Sequence, residues 1–190
     1  QCVSQGDGMH FRPDWKPRTT SAASLEEAEE SVATESGGDK NRLAVYLHPG
    51  RIFASPEPCT VRMILGSCVA VCLWDPGQAI GGANHFLLPH HVGEGQDSLR
   101  FGNVAILRLI EKLLALGCAK QSLKAKLFGG SCVLEAFQKN AAHLGTKNVL
   151  VARKLLAEEG IAIVAEDVGG HRGRRLVFQT DDGGAWVRRL

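Results

Sequence analysis

Residues 65–89 read LGSCVAVCLWDPGQAIGGANHFLLP, with two apolar runs on either side of a turn signal. The run at 69–74 is continuous and apolar, which is typical of a strand covered on both faces of its sheet. Pro76-Gly77 marks a turn, and the run at 79–88 is expected to return as the neighbouring strand. The stretch therefore predicts an antiparallel hairpin inside a sheet.

Outward from this hairpin, hydrophobic periodicity and glycine or proline signals predict the remaining elements. The order is several strands, a helix, a strand, a helix and then strands. This order predicts an α/β (α+β) layered sandwich, with mixed, largely antiparallel sheets packed against two main helices. The predicted strands lie at 43–47, 61–65, 123–130 and 161–168, the helices at 103–116 and 147–159, and a terminal hairpin at 175–189.

The first helix is predicted from apolar residues at helical spacing. Its expected buried stripe consists of Val104, Leu107, Leu109 or Ile110, Leu113 and Leu114.

Composition separates a leader from a folded part. Residues 1–40 are rich in Ser, Thr, Gly and acidic residues, with few large apolar side chains. Such a segment buries too little surface to offset its ordering entropy. We expect a disordered or loosely structured acidic leader over 1–40 and a single domain over 41–190.

The bulk composition argues against several function classes. The net charge is +2, and the chain has 7 Phe, 3 Trp and 1 Tyr, so we expect no nucleic-acid interface. No apolar run reaches the roughly 20 residues of a membrane span, so we expect no membrane insertion. The N-terminal segment has no signal-peptide core. A cytoplasmic location and six reduced cysteines are therefore expected.

Cys68 and His85 are candidate reactive residues within the opening hairpin. If 75–78 forms a four-residue loop, Trp74 pairs with Ala79 and Cys68 falls directly opposite His85. Cross-strand partners have Cβ atoms about 4.5–5.5 Å apart. A slip of one residue, or a bulge at the double glycine of the returning strand, would remove this pairing.

A thiol opposite an imidazole has a defined chemistry. An adjacent imidazolium lowers the pKa of a cysteine, and the resulting thiolate attacks carbonyl carbon. Gly66 and Ser67 permit a tight turn before Cys68, where backbone N–H groups can hold an oxyanion. The alternative interpretation is that Cys68 is a small buried hydrophobe and that His85 is a satisfied polar residue.

A zinc site is a further alternative, with Cys68, Cys72, His85, His90 and His91 as its ligands. On a strand, however, Cys68 and Cys72 lie about 13 Å apart, which disfavours a shared metal. We expect core packing for Cys72 and a solvated loop for the two adjacent histidines. No metal and no cofactor are predicted.

Two glycine-rich runs follow predicted strands, FGGS at 128–131 and VGGHRGRR at 168–175. Neither matches a phosphate-binding fingerprint, so turn geometry is the expected role of both. Arg172, Arg174 and Arg175 are candidates for orienting an acidic partner, but a solvated basic loop is the preferred interpretation.

Several motifs in series resemble the chemoreceptor glutamine deamidase family, CheD. They lie between Leu43 and Leu190 and cover most of the chain. The motifs are LGSCVAVCLWDP, GGANHFLLP, LRFG, AKLFGG, GTKNV, GIAIVAEDVGGHRGRR and the terminal hairpin.

The resemblance implies a CheD-like layered sandwich, with Cys68 as the nucleophile and His85 as the general base and acid. The family's third catalytic residue is a threonine six positions before the cysteine, and here that position holds Arg62. Thr60 is a candidate substitute, because residues 60 and 62 of a strand share a face.

The resemblance also implies a function. Family members convert glutamine side chains of methyl-accepting chemotaxis receptors to glutamate, without a cofactor, and engage the CheC phosphatase. The expected reaction is therefore deamidation through a thioester. The alternative is an adaptor that binds receptors or CheC, with a site weakened by Arg62.

Overall fold

The computed structural model describes residues 42–91, 98–133 and 143–190. The predicted leader lies outside these ranges. The described elements are β1 (Leu43–Tyr46), β2 (Arg51–Ser55), β3 (Cys59–Leu65), β4 (Val69–Asp75), β5 (Ile80–His85), α1 (Gly102–Ala115), a short 3-10 helix (Lys120–Ser122), β6 (Lys124–Gly129), α2 (Leu144–Glu158), β7 (Ala162–Val168), β8 (Arg174–Gln179) and β9 (Ala185–Arg189).

Two mixed sheets form the framework. One has the order β1-β3-β8-β9 and the other the order β2-β5-β4-β6-β7. Only β1 with β3 and β6 with β7 pair in parallel among the described strands; the other pairings are antiparallel. The predicted layered sandwich of largely antiparallel sheets with two helices is confirmed.

The central strands β4 and β5 of the five-stranded sheet are buried on both faces because they separate two apolar layers. All seven residues of β4 are buried, as its continuous apolar run predicts. The inter-sheet core lies between the two sheets, and its members include Met63, Ala70, Cys72, Trp74 and Phe178. The helix-side core lies beneath α1 and α2, and its members include Val71, Leu73, Ile106, Leu109 and Leu156.

Several boundaries differ from the prediction. Strand β2 was not predicted, and α2 begins at Leu144 rather than Lys147. In α1, the buried apolar residues are Ala105, Ile106, Leu109, Ile110 and Leu113, so the face lies to one side of the predicted stripe. Leu114, a member of that stripe, is 39% exposed. Among the described residues, no helix combines the length and apolar character needed to cross a membrane.

The central hairpin forms with a register that differs by two residues from the prediction. Asp75 pairs with Ile80, and Trp74 pairs with Gly81 instead of Ala79. Asp75 stays in the ladder because its carboxylate accepts the Gly77 N–H at 2.9 Å. The loop therefore occupies 76–79 and closes through Ala79 in the left-handed region, at φ 56°.

At its open end, the same hairpin is interrupted by a side chain. Regular pairing stops at Cys72 with Ala83, and a single bridge joins Val69 to Phe86 further on. Between them, the Asn84 side-chain oxygen accepts the Val71 N–H at 2.8 Å. An amide side chain thus replaces a backbone partner, and the ladder opens beside His85.

Candidate active site

Cys68 lies half-buried on the short connection between β3 and β4. Its side chain packs against the inter-sheet core. Three consecutive backbone carbonyls of this turn are held by neighbouring segments. Gly66 O accepts from Ser131 N–H at 2.8 Å, Ser67 O from Asn148 Nδ2 at 3.0 Å, and Cys68 O from Gly130 N–H at 2.8 Å.

These contacts fix the directions of the amide groups. In a planar trans peptide, the N–H points opposite to the preceding C=O. Because Gly66 O and Ser67 O face the scaffold, the N–H groups of Ser67 and Cys68 face away from it. The contacts of the turn therefore direct two adjacent backbone N–H groups away from the segments that hold it, and backbone N–H groups are the donors that oxyanion sites use.

Glycines at the end of β6 allow the turn to approach closely. Gly129 has φ 106°, and a Cβ placed there would collide with the Cys68 carbonyl oxygen. Gly130 is also left-handed, at φ 69°, and its N–H holds that same oxygen. The FGGS run therefore does form a turn, as predicted, and its glycines allow it to pack directly against the Cys68 backbone. We call Gly129 and Gly130 the platform beneath Cys68.

His85 ends β5 and is buried in the inter-sheet layer, with 1% of its surface exposed. Its Nδ1 lies 3.1 Å from the Leu47 carbonyl oxygen. A carbonyl can only accept, so Nδ1 carries the proton and Nε2 carries the free lone pair. Nε2 is buried and has no hydrogen-bond partner among the described residues, which leaves it free to accept a proton.

Cys68 and His85 lie on the same face of the hairpin, but not directly opposite each other as predicted. Continuing the register of the Val69–Phe86 bridge places Cys68 opposite Leu87. His85 is then the diagonal neighbour of Cys68. Diagonal pairs stand about 7–8 Å apart and somewhat closer at Cβ, within reach of long side chains.

Burial controls the ionisation of both groups. It raises the pKa of the Cys68 thiol, and the residue's own backbone N–H offsets this rise in part. Burial lowers the pKa of the His85 imidazole; the Leu47 carbonyl opposes this shift, and nearby His48 adds to it. Both directions favour the neutral thiol and neutral imidazole in the free protein, rather than the predicted thiolate–imidazolium pair.

Thr60 does not lie beside His85. Val61, Met63 and Leu65 project into the inter-sheet core, so the alternating side chain of Thr60 projects to the other face of its sheet. The side chain of Arg62 lies on that other face too. The group that contacts the His85 ring is instead the main-chain carbonyl of Leu47. Leu47 is itself held in place because its N–H donates to Arg62 O at 2.9 Å.

The remaining candidates take other positions. Cys72 is fully buried in the inter-sheet core, and burial strongly raises the pKa of its thiol. His90 is exposed, whereas His91 packs edge-on against Phe101. The five cysteines among the described residues are free thiols. Within that part of the chain, no three His, Cys, Asp or Glu side chains are grouped to hold a metal ion.

The basic run of the GGHRGRR loop is divided by the fold. Arg172 and Arg175 are exposed. Arg174 is buried, pairs with Asp167 at 2.9 Å, and donates to the Ser131 hydroxyl at 3.0 Å. The interpretation of a solvated loop is therefore wrong for Arg174, which supports the segment that holds the Cys68 turn.

Two asparagines were missed as site residues. Asn84 and Asn148 are both fully buried. The signal for Asn148 lies in its helical spacing, because it shares the buried face of α2 with Gly145 and Ala152. A lone amide on an otherwise apolar face needs a partner. Leu47 gave no such signal, because its contribution comes from the main chain.

Comparison with known proteins places this chain in a family. The family described as CheD chemotactic sensory transduction matches residues 87–189, slightly more than half of the chain. One relative, "Probable chemoreceptor glutamine deamidase CheD 1" of Anaeromyxobacter dehalogenans (strain 2CP-C), is 50% identical over 173 residues. That match covers 91% of this chain and 99% of the relative. This chain belongs to the CheD family.

Two further CheD relatives carry the name "Probable chemoreceptor glutamine deamidase CheD". The protein of Sulfurimonas denitrificans (strain ATCC 33889 / DSM 1251) is 41% identical over 73% of this chain and 88% of its own length. That of Trichlorobacter lovleyi (strain ATCC BAA-1151 / DSM 17278 / SZ) is 43% identical over 73% and 85%. The resemblance to CheD proposed from the sequence is confirmed.

Proposed function

We propose that this CheD chain hydrolyses glutamine side chains of chemotaxis receptors to glutamate, with Cys68 as nucleophile and His85 as proton carrier. The names of its relatives support the receptor substrate. The observation that carries the residue assignment is the His85 imidazole. It has one nitrogen tied to Leu47 O and the other unpartnered, on the face that also carries a half-buried thiol.

The first half of the reaction forms a thioester. As the Cys68 sulfur bonds to the carboxamide carbon, its proton moves to Nε2 of His85. Neutral starting forms suit this concerted transfer, because the thiol is the acid and the imidazole is the base. The substrate oxygen becomes an oxyanion beside the N–H groups of Ser67 and Cys68.

Collapse of the tetrahedral intermediate completes the acyl transfer. The carbon–nitrogen bond breaks, and the His85 imidazolium gives its proton to the departing nitrogen, which leaves as ammonia. His85 is then neutral and removes a proton from an attacking water. As the second tetrahedral intermediate collapses, the carbon–sulfur bond breaks and the His85 imidazolium returns its proton to the Cys68 sulfur, which leaves a glutamate carboxylic acid and the Cys68 thiol. Each step uses only these residues, backbone donors and water.

The competing adaptor interpretation depended on Arg62 replacing the family threonine. Its premise is weakened because His85 already has an orienting group in Leu47 O. Loss of an orienting side chain from residue 62 therefore need not disable the base. Binding to the CheC phosphatase and action in receptor adaptation stay predictions.

The test is mass spectrometry of receptor cytoplasmic fragments incubated with wild type, Cys68→Ala and Cys72→Ala. Replacement of an amide NH₂ by OH adds about one mass unit at each modified glutamine, the net result of covalent hydrolysis. Wild type and Cys72→Ala should produce the change and release ammonia, whereas Cys68→Ala should not. Unchanged deamidation by Cys68→Ala would exclude Cys68 as the nucleophile.

A further inference from the structure

Asn148 forms hydrogen bonds to both chain segments of the proposed site, the turn that carries Cys68 and the segment that follows His85. This α2 residue is fully buried. Its Nδ2 donates to Ser67 O at 3.0 Å and to Leu87 O at 2.8 Å. Ser67 immediately precedes Cys68, and Leu87 follows His85 by two residues. We call these two hydrogen bonds the Asn148 bridge.

The first bond of the Asn148 bridge sets the plane of the peptide between Ser67 and Cys68. Since that peptide is planar, holding its oxygen against α2 directs the Cys68 N–H to the opposite side. If the oxygen were released, the peptide plane could rotate and the N–H would lose its fixed direction. Asn148 therefore acts on a donor of the proposed oxyanion site without touching the substrate.

The second bond fixes the other strand. Leu87 lies where the hairpin register, continued from Val69–Phe86, meets Cys68. The Val69–Phe86 pair beside it exchanges two backbone hydrogen bonds, and Leu87 N–H then points outward and donates to Arg100 O at 2.9 Å. Next to that backbone pair, the Asn148 amide adds a side-chain link between the Cys68 turn and the segment after His85.

The orientation of the Asn148 amide is also defined. Two carbonyl acceptors require the NH₂ group, so the side-chain oxygen points elsewhere, and it is buried without a hydrogen-bond partner among the described residues. An unpartnered buried acceptor is unfavourable. An apolar side chain would avoid this cost on a face shared with Gly145 and Ala152, but it would take the Asn148 donor from the Ser67 and Leu87 carbonyl oxygens. Uncompensated polar groups of this kind concentrate at functional sites.

We propose that Asn148 is a positioning residue for the deamidation reaction. The Asn148 bridge directs the Cys68 N–H towards the substrate oxygen and ties the Cys68 turn to the segment that follows His85. This inference rests on the proposed function, and it adds a residue that neither contacts the substrate nor transfers a proton.

The experiment compares wild type with Asn148→Leu, a variant of similar size that lacks both donors. Asn148→Ser, which is too short to bridge both carbonyls, serves if the Leu variant does not fold. Ala152→Gly is the matched control, because it weakens the same helix four residues from Asn148 and on the same face. Two quantities are measured below the melting temperatures, ammonia release from a receptor fragment and the rate of Cys68 alkylation by iodoacetamide.

For Asn148→Leu we expect kcat to fall by about tenfold or more, approaching the roughly 10²–10³-fold cost of a lost oxyanion donor. KM should stay within about twofold, because substrate contacts are unchanged. Alkylation of Cys68 should accelerate, since a released turn exposes the thiol. Ala152→Gly should match wild type in both measurements. A wild-type kcat in a folded Asn148 variant would overturn the proposal.

The two readouts separate this inference from the proposed function. If wild type releases no ammonia, the deamidase proposal fails and alkylation alone decides the role of Asn148. Faster alkylation in the Asn148 variant than in Ala152→Gly would then support the Asn148 bridge. Equal alkylation rates in wild type and both variants would contradict it.

Discussion

The β4–β5 hairpin differs greatly between its two ends. At the turn, Asp75, Trp74 and their partners pair regularly, and the Asp75 carboxylate closes the loop by accepting N–H groups of Gly77 and Gln78. At the open end, one bridge remains between Val69 and Phe86. The neighbouring contacts there come from the side chains of Asn84 and Asn148.

This difference separates the requirements of the fold from those of the site. The turn end is satisfied by local backbone hydrogen bonds and apolar packing, so its conformation follows from nearby residues. The open end keeps buried polar atoms without partners, on His85, Asn84 and Asn148. Burying a polar atom without a hydrogen-bond partner lowers the stability of the fold, so its presence indicates a requirement other than stability. This distribution agrees with the proposed site at the open end of the hairpin.

The largest expected effect at the open end follows from replacing His85. His85→Gln removes the proton acceptor and donor of the proposed reaction, so deamidation should fall by about 10²–10⁴-fold. Ammonia release from a receptor fragment measures this loss. His48→Gln is the control, because His48 is exposed and influences the pKa of His85 without occupying the site. Near-wild-type activity in His85→Gln would remove the base from the mechanism.

The same comparison explains what the sequence could predict. The hairpin itself, the buried β4 and the common face of Cys68 and His85 all follow from apolar runs and a turn signal. The predicted register was off by two residues, and an even offset returns every side chain to its predicted face. The error arose because Asp75 remains paired while Ala79 takes a left-handed conformation, which its identity does not suggest.

The open end was harder to predict because long-range contacts define it. Asn148 lies 81 residues from Ser67 and 61 from Leu87, and no local pattern specifies these partners. Leu47 contributes only a carbonyl, so its side chain gives no indication of its role beside His85. The search for a third side chain led to Thr60, whereas the acceptor that contacts His85 Nδ1 is a backbone carbonyl.

A second prediction concerns the platform beneath Cys68. Gly129→Ala places a Cβ against the Cys68 carbonyl oxygen, at φ 106° where side chains are strained. We expect a stability loss of about 1–3 kcal/mol and a fall in deamidation of about tenfold, because the turn must shift. Chemical denaturation and ammonia release measure the two effects. Full activity together with unchanged stability would show that the turn tolerates displacement.

The third prediction uses the buried imidazole as a probe of pH-dependent stability. Burial lowers the pKa of His85 below its ordinary value of 6.5. The unfolded chain therefore binds the proton more readily, and stability rises with pH in this range. The contribution of neutral His85 is complete above about pH 6.5 and is lost as pH falls towards the folded-state pKa.

Urea unfolding of wild type and His85→Gln at pH 7.5 and 5.5 isolates this contribution. The wild type should lose more unfolding free energy than the variant between these values, by less than about 1.4 kcal/mol per pH unit, the limit for one proton. Other histidines contribute equally to both proteins and cancel in the difference. Identical losses would show that the imidazole is not held in its neutral form by the fold.

The smallest effect is expected at the turn end of the hairpin, from a substitution of alanine by glycine. Ala79 is a non-glycine residue at φ 56°, and Ala79→Gly relieves the cost of a left-handed side chain. Part of this gain is offset by the greater entropy of glycine in the unfolded chain. The net change should be a stabilisation below about 1 kcal/mol, with unaltered deamidation, measured in the same assays as Gly129→Ala. Among the described residues, no hydrogen bond joins the loop at 76–79 to the residues assigned to the chemistry. A fall in activity would therefore mean that the two ends of the hairpin are coupled through β4 and β5.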